Sequence, residues 1–248
     1  VYHTWMLNLE AFIKGDRMGT EEIVVEEVKE ETKEVKKGLE ERTEYGTARQ
    51  ELKQLNDFII DDGKALLHVD LACGQRKKEG FKGLDRAVVK DVDYVHDLMV
   101  YPWPFGDKSV YEFNCEHYVE HIPIILQDGS YGLNRFMEEV YRCLMDKGTI
   151  RICAPYYMSQ ECWQDPTHTR AITDRTFLYY NQKVTEGTLD HYMPKCNFEI
   201  VSQTKIIDPS FEAKGEQAKR WAIEHYWNVV REVQYVLRKV PLITKEGV

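Results

Sequence analysis

The sequence lacks several features that would settle its class at once. No apolar run approaches the ~18–20 residues needed to cross a bilayer, so no membrane span is expected. The N-terminus does not show a basic stretch, an apolar run and a small-residue cleavage site in succession, so it does not read as a secretory leader. Six cysteines, Cys73, Cys115, Cys143, Cys153, Cys162 and Cys196, include no C-x-x-C pair. None stands near histidines at zinc-finger spacing. Free thiols in a reducing, cytoplasmic setting are therefore expected, with no metal. Basic residues are in deficit, 33 Lys and Arg against 42 Asp and Glu, for a net charge of -9. General nucleic-acid binding needs a basic face and is not expected. Internal repeats and low-complexity linkers are also missing.

The chain does have length and apolar content, with 248 residues of which 43% are hydrophobic. That is enough for one sizeable core, and a single domain with decorations is the default reading. Residues 1–63 are charged and read as a helical N-terminal extension or lid. Within them "EEIVVEEVKEETKEVKKGLEER" sets Val24, Val28, Val35 and Leu39 on one helical stripe, which could pack on the domain or on a second copy in a homodimer. From residue 64 to 248 strands alternate with helices. "ALLHVDL", "GFKGLD", "DYVHDL", "VYEFNCE", "GTIRICAP" and "NFEIVSQTKII" read as strands, each short, apolar or aromatic, and bounded by turn residues or charges. "LNRFMEEVYRCLMDKG" reads as a helix stopped by Gly148, and "EAKGEQAKRWAIEHYWNVV" as another. "VREVQYVLRKV" reads as a strand because Val233, Tyr235 and Leu237 alternate, with a continued helix as the alternative. Strands separated by helices predict an α/β fold with a mostly parallel sheet.

The most informative stretch is "LHVDLACGQRKKEGFKGLD". Asp70 ends the first predicted strand and Asp85 the second, and ligands of open parallel sheets bind at those carboxyl ends. Ala72 and Gly74 are small where backbone must approach a ligand closely. A carboxylate at the second strand end can accept both hydroxyls of a ribose. The rival is a dinucleotide site, whose fingerprint is G-x-G-x-x-G with an acid ~20 residues on. Here Arg76 and Glu79 replace the second and third glycines, and Asp85 follows Gly74 by only eleven residues. Two acidic tips without a diphosphate cradle suit a cationic, nucleoside-bearing ligand better. The plain alternative for each aspartate is a helix cap.

Taken in order, "VDLACG", "GLD", "VHDL…PWPFGDKSVYEFNCEHYVEHI" and "EEVYRCLMDKGTIRICAP" resemble the class I S-adenosylmethionine-dependent methyltransferases of the type 11 branch, over Leu66 to Pro155. The resemblance implies a Rossmann-like, seven-stranded sheet whose last strand is antiparallel, and S-adenosylmethionine as cofactor. It implies that Asp70 and the backbone from Ala72 through Cys73 to Gly74 line the methionine part. Asp85 would hold the ribose, Asp97 would accept from the adenine amino group and Leu98 would border the ring. The segment from Asn114 to His117 would face cofactor and acceptor. Ala72 stands where glycine is usual and should fit if its backbone angles are ordinary. Glu116 stands where a small polar residue is common and places a charge near the acceptor.

Methyl transfer to oxygen or nitrogen can use a base, and histidine is the usual one. His117 and His121 are four apart and share a face if helical, but "HYVEH" lacks the H-E-x-x-H order of a zinc protease. The second candidate region is "APYYMSQECWQDPTHTRAITDRTFLYY", too long for a plain connection. Asp165-Pro166 starts a turn there, and Thr173 or Asp174 caps a helix. His168 and Arg170 could grip an acceptor or pin the loop, and Tyr156 and Tyr157 could wall a pocket. The predicted activity is methyl transfer to an O or N atom of a small-molecule or glycan-like acceptor, with His117 and His168 as candidate catalytic residues. The rivals are a non-catalytic module that binds the same cofactor and a nucleotide-dependent oxidoreductase.

Overall fold

A computed structural model describes residues 60, 61, 64–186 and 194–243. The predicted amphipathic stripe over 21–42 lies outside the described residues. Ile60–Asp61 pairs antiparallel with Lys64–Ala65. From Leu66 onward the chain forms a separate compact unit.

Its centre is a seven-stranded sheet. The strands are β1 (His68–Leu71), β2 (Lys82–Asp85), β3 (Tyr94–Val95), β4 (Val110–Glu116), β5 (Leu144–Pro155), β6 (Phe198–Ile207) and β7 (Val230–Lys239). Their order is β3-β2-β1-β4-β5-β7-β6. β1 pairs in parallel with β2 and β4, β2 with β3, and β4 with β5. β7 runs antiparallel to both neighbours, β5 and β6. This is the α/β, Rossmann-like arrangement with a reversed last strand. "VREVQYVLRKV" is a strand, as its alternation predicted.

Parallel strands covered on both faces read as continuous apolar runs. β1 is such a run, but β4, β5 and β7 alternate over much of their length. Phe113, Cys115, Ile150, Ile152, Val233, Tyr235 and Leu237 are fully buried, and their neighbours Glu112, Glu116, Arg151 and Gln234 carry charge or polarity to the other face. There Arg151 Nε donates to Glu112 Oε1 at 2.8 Å. The long helix α1 (Gly132–Cys143) presents Leu133, Phe136, Met137, Val140 and Cys143 at helical spacing to the apolar core. Shorter helices are α2 (Gln160–Gln164), α3 (Gln182–Thr185), α4 (Pro209–Glu212) and α5 (Glu216–His225).

Gly148 does not end α1. The helix stops at Cys143, because Leu144 turns extended (φ -64°, ψ 137°) and pairs with Val110 in the sheet. The buried Lys239 of β7 seals that end, its Nζ donating to the carbonyls of Tyr141 and Leu144 at 2.7 Å each. A cation at a helix C-terminus is the favourable sign. Gly148 is required for a different reason: a Cβ there would lie 2.8 Å from the Tyr111 carbonyl oxygen.

The connections that follow β1 and β2 contain no helix, and acidic side chains hold them in place. Asp93 accepts from the Gly83 N–H and Lys77 Nζ at 2.8 Å each and from Lys82 Nζ at 3.1 Å. Burial alone would raise its pKa, but these three donors outweigh that and hold it at about 2. The unfolded value is about 4, so Asp93 stabilises the fold fully above that pH and loses its contribution as pH falls through about 2. Urea unfolding of wild type and Asp93→Asn should therefore differ most at neutral pH and converge between about pH 4 and 2. A pH-independent difference would refute the assignment.

Candidate functional site

A cleft of about 500 Å³ opens at the carboxyl ends of β1 and β2. Its walls are Ala72, Asp85 and Arg86, then His96 to Met99, then Tyr118, His121, Pro123 and Thr167. Four of the predicted cofactor residues, Ala72, Asp85, Asp97 and Leu98, meet here. The other four sit behind the wall.

Asp70, only 4% exposed, accepts from the Lys78 N–H through Oδ2 and from Asn114 Nδ2 through Oδ1, both at 2.8 Å. Burial pushes its carboxyl up, while Asn114 and the Lys78 N–H pull it down. The residue thus fastens the loop after β1 to β4. Gly74 takes part through its backbone, its N–H donating to Asp85 Oδ2 at 2.9 Å. Cys73 packs against β2, where a Cβ on Gly83 would come within 2.7 Å of its Sγ. Burial, with Asp70 and Asp85 nearby, pushes its thiol up to about 11, so it is neutral at physiological pH.

Asp85 Oδ1 accepts from the Ala87 N–H at 2.8 Å. A carboxylate offers about four lone-pair positions, so two remain for a ligand. Asp97 Oδ1 accepts from the Met99 N–H at 2.8 Å, and Trp103 Nε1 donates to the Leu98 carbonyl at 3.0 Å. These bonds fix a strip with one acid and two apolar side chains on the cleft wall. It follows the two-residue β3, so of the predicted strand "DYVHDL" only Tyr94–Val95 pairs in the sheet, and a turn closed by the Val100 N–H on the Asp97 carbonyl at 2.9 Å follows.

The segment after β4 departs from the helical reading. His117 has φ 51° and precedes a short 3-10 turn over Val119–His121, so His117 and His121 do not share a helical face. His117 is half exposed. Its Nδ1 is 3.5 Å from Glu120 Oε1 and its Nε2 3.3 Å from Glu232 Oε1. Glu120 beside it, helped by Glu232, pushes its pKa above the ordinary histidine value. His121 instead faces the cleft.

The long loop after β5 folds back over this segment. Thr169 N–H donates to the Glu120 carbonyl at 2.8 Å, and Arg170 donates to the carbonyls of Ile122 and Pro123 at 2.8 and 3.0 Å. His168 Nδ1 is 2.9 Å from the Cys162 carbonyl, and its ring packs edge-on against His121. Asp165 makes the predicted turn, accepting from the Thr167 N–H at 2.8 Å. The predicted helix at "TDRTF" is a 3-10 turn over Thr176–Tyr180, with Thr173 Oγ1 accepting from the Arg175 N–H at 3.1 Å. Tyr156 is buried and Tyr157 half-buried, rings in edge contact. Glu116 and Asn114 border a second hollow of about 190 Å³, with Lys78, Arg151 and Cys153.

Sequence reasoning passed over Arg86, His96, Met99, Tyr118, Pro123 and Thr167 on the cleft wall. Arg86, Met99 and Tyr118 directly follow residues it did select, and His96 and Thr167 directly precede such residues, which was the available signal. All six cysteines are free and buried. Among the described residues no helix is long and apolar enough to cross a membrane.

No family model matches the chain, and no curated protein matches it. Similar solved structures include a SAM-dependent methyltransferase from Archaeoglobus fulgidus, 17% identical, with a TM-score of 0.44, covering 70% of this chain and 86% of its own. Another is an S-adenosylmethionine-dependent methyltransferase from Mesorhizobium loti, 14% identical, TM-score 0.41, covering 70% and 91%. A third is geranyl diphosphate C-methyltransferase from Streptomyces coelicolor A3(2), 12% identical, TM-score 0.43, covering 78% and 80%.

Ala72 does not have ordinary backbone angles. Its φ is 53°, in the left-handed region, so the side chain sits where glycine would be unstrained. That conformation costs an L-residue about 1–2 kcal/mol, partly offset by the greater unfolded-state freedom of glycine. Ala72→Gly should stabilise the protein by about 0.5–1 kcal/mol in urea unfolding. A loss of stability would mean that the methyl group makes a packing contribution larger than the strain.

Proposed function

We propose that the chain is an S-adenosylmethionine-dependent methyltransferase acting on an O or N atom of a small-molecule or glycan-like acceptor. The observation that carries this reading is Asp85. It stands at the tip of β2, fixed by two backbone N–H groups, on the wall of a cleft bounded by a small-residue loop and an apolar strip. Asp85 accepts the ribose hydroxyls, Asp97 accepts from the adenine amino group, and Leu98 and Met99 border the ring. Ala72 and its loop take the amino-acid end. No run of glycines offers a cradle to a diphosphate, which weighs against a dinucleotide. When bound, the cofactor supplies a methyl group on a sulfonium, open to in-line displacement.

The protein's share is alignment of the acceptor and exclusion of water from the cleft. Tyr156, Tyr157 and Arg170 belong to the loop after β5, which frames the acceptor side, whereas Asn114 and Glu116 border the second hollow. Glu120 favours the protonated form of His117, which suits it to orient an acceptor better than to deprotonate one. His168, its Nδ1 directed to a carbonyl, leaves Nε2 as an acceptor, 3.9 Å from Asp165 Oδ2.

Calorimetric titration with S-adenosylhomocysteine should give one site per chain. Asp85→Ala should weaken it by about 1–3 kcal/mol, roughly 5- to 150-fold, because the ribose hydroxyls would lose their acceptor on the cleft wall. Binding of NAD in place of S-adenosylhomocysteine, or an Asp85→Ala affinity equal to wild type, would overturn the proposal. Cofactor binding without transfer to any acceptor in a library of hydroxyl and amine compounds would favour the non-catalytic module.

A further inference from the structure

We propose that Glu120, His121 and His168 form a site for a divalent transition-metal ion of the zinc type, opening on the cleft. One donor atom from each of the three lies within 4.8 Å of the others. Glu120 is 1% exposed, and neither carboxylate oxygen has a hydrogen-bond partner. Its nearest cationic group, His117 Nδ1, is 3.5 Å away, and the same ring turns Nε2 to Glu232 Oε1 at 3.3 Å. A buried carboxylate with no hydrogen bond, whose nearest cation is a half-exposed imidazole 3.5 Å away, is incompletely compensated, and a metal ion would complete it.

The two imidazoles are prepared for such an ion. The Cys162 carbonyl can only accept, so His168 carries its proton on Nδ1. Thr167 Oγ1 donates its hydrogen to Asp165 Oδ1 at 2.7 Å, so it accepts from His121 Nδ1 at 2.9 Å. Both rings therefore present an Nε2 lone pair, that of His168 with Asp165 Oδ2 3.9 Å away, and each ring is fixed by an outer partner, the pattern that orients metal-binding histidines. Two imidazoles and one carboxylate select zinc, cobalt or ferrous iron over magnesium or calcium, which prefer all-oxygen sites. Three protein ligands leave a position open, and His121 and Thr167 line the cleft, so that position faces it. The neighbouring group of His117, Cys153 and Glu232 is less suited, because the Cys153 thiol donates to Glu232 at 3.2 Å.

An ion here would hold an oxygen of the acceptor and make its O–H more acidic, the proton leaving to solvent through the open cleft. That role rests on the transferase reading, whereas the metal site does not. The test uses chelator-treated full-length protein, titrated with Zn²⁺ against a chromophoric chelator and with Co²⁺ followed by visible absorption. One equivalent per chain is expected, with a rise in melting temperature. Glu120→Gln, His121→Asn and His168→Asn should each lower Zn²⁺ affinity by roughly a hundredfold or more, since even outer-partner changes lose up to that factor. His121 is on the cleft wall, so His121→Asn keeps the test valid if Glu120→Gln does not fold. Substoichiometric Zn²⁺ binding, or equal affinity in all folded variants, would overturn the site. S-adenosylhomocysteine is titrated in parallel: lost cofactor binding with Zn²⁺ retained sinks only the transferase reading, and the reverse sinks only the metal.

Discussion

Asp70 lies between the first and fourth strands with each carboxylate oxygen engaged, one by the amide of Asn114 and the other by the backbone N–H of Lys78. Lys78 Nζ closes the arrangement on Asn114 Oδ1 at 3.1 Å. A buried carboxylate holds such donors strongly, because losing them would leave an unsolvated charge. The loop after β1 is thereby tied down at its far end. Its near end leaves the strand through Ala72 and Gly74, both in the left-handed region at φ 53°. The loop forms no helix, and these bonds hold it against β2 and β4. Gly74 N–H therefore meets Asp85, and the cleft acquires its acidic wall.

The two sides of the cleft differ in chemistry for reasons that trace to separate parts of the fold. Asp85 and Asp97 come from strand tips and turns, where backbone N–H groups satisfy them. The histidine side is assembled from the turn after β4 and the long loop after β5, held by bonds from Thr169 and Arg170 to carbonyls around Ile122. Arg170 is thus a positioning residue for His168, whatever else it touches. One wall is acidic and set by the sheet, while the other carries His121, against which His168 packs, and is set by the loop.

Most of the sheet could be read from the sequence because its strands alternate and its long helix repeats at helical spacing. "VYEFNCE" is a strand over its whole length. The end of α1 could not be read, since "LMD" continues the helical pattern and only pairing with Val110, distant in sequence, draws Leu144 into the sheet. Ala72 was legible as an oddity, but not its φ, which Asp70 and Lys78 impose from outside. His117 and His121 misled by spacing, because a positive φ at His117 removes the helix that spacing assumes. Glu120 drew no notice at all. Its burial is a tertiary fact, and His168 arrives from a loop far along the chain, so no local motif records that they meet.

The position of β7 has a further consequence for how the sheet is completed. It is the last of the seven strands in the chain, yet it sits between β5 and β6, contributing partners to both. During synthesis β5 therefore emerges with its outer row of N–H and C=O groups uncovered, and β6 has no neighbour to join. An uncovered row of that kind invites pairing with other nascent chains. The vulnerable interval ends when β7 slides into the gap, and Lys239 then fastens it to the carbonyls at the end of α1.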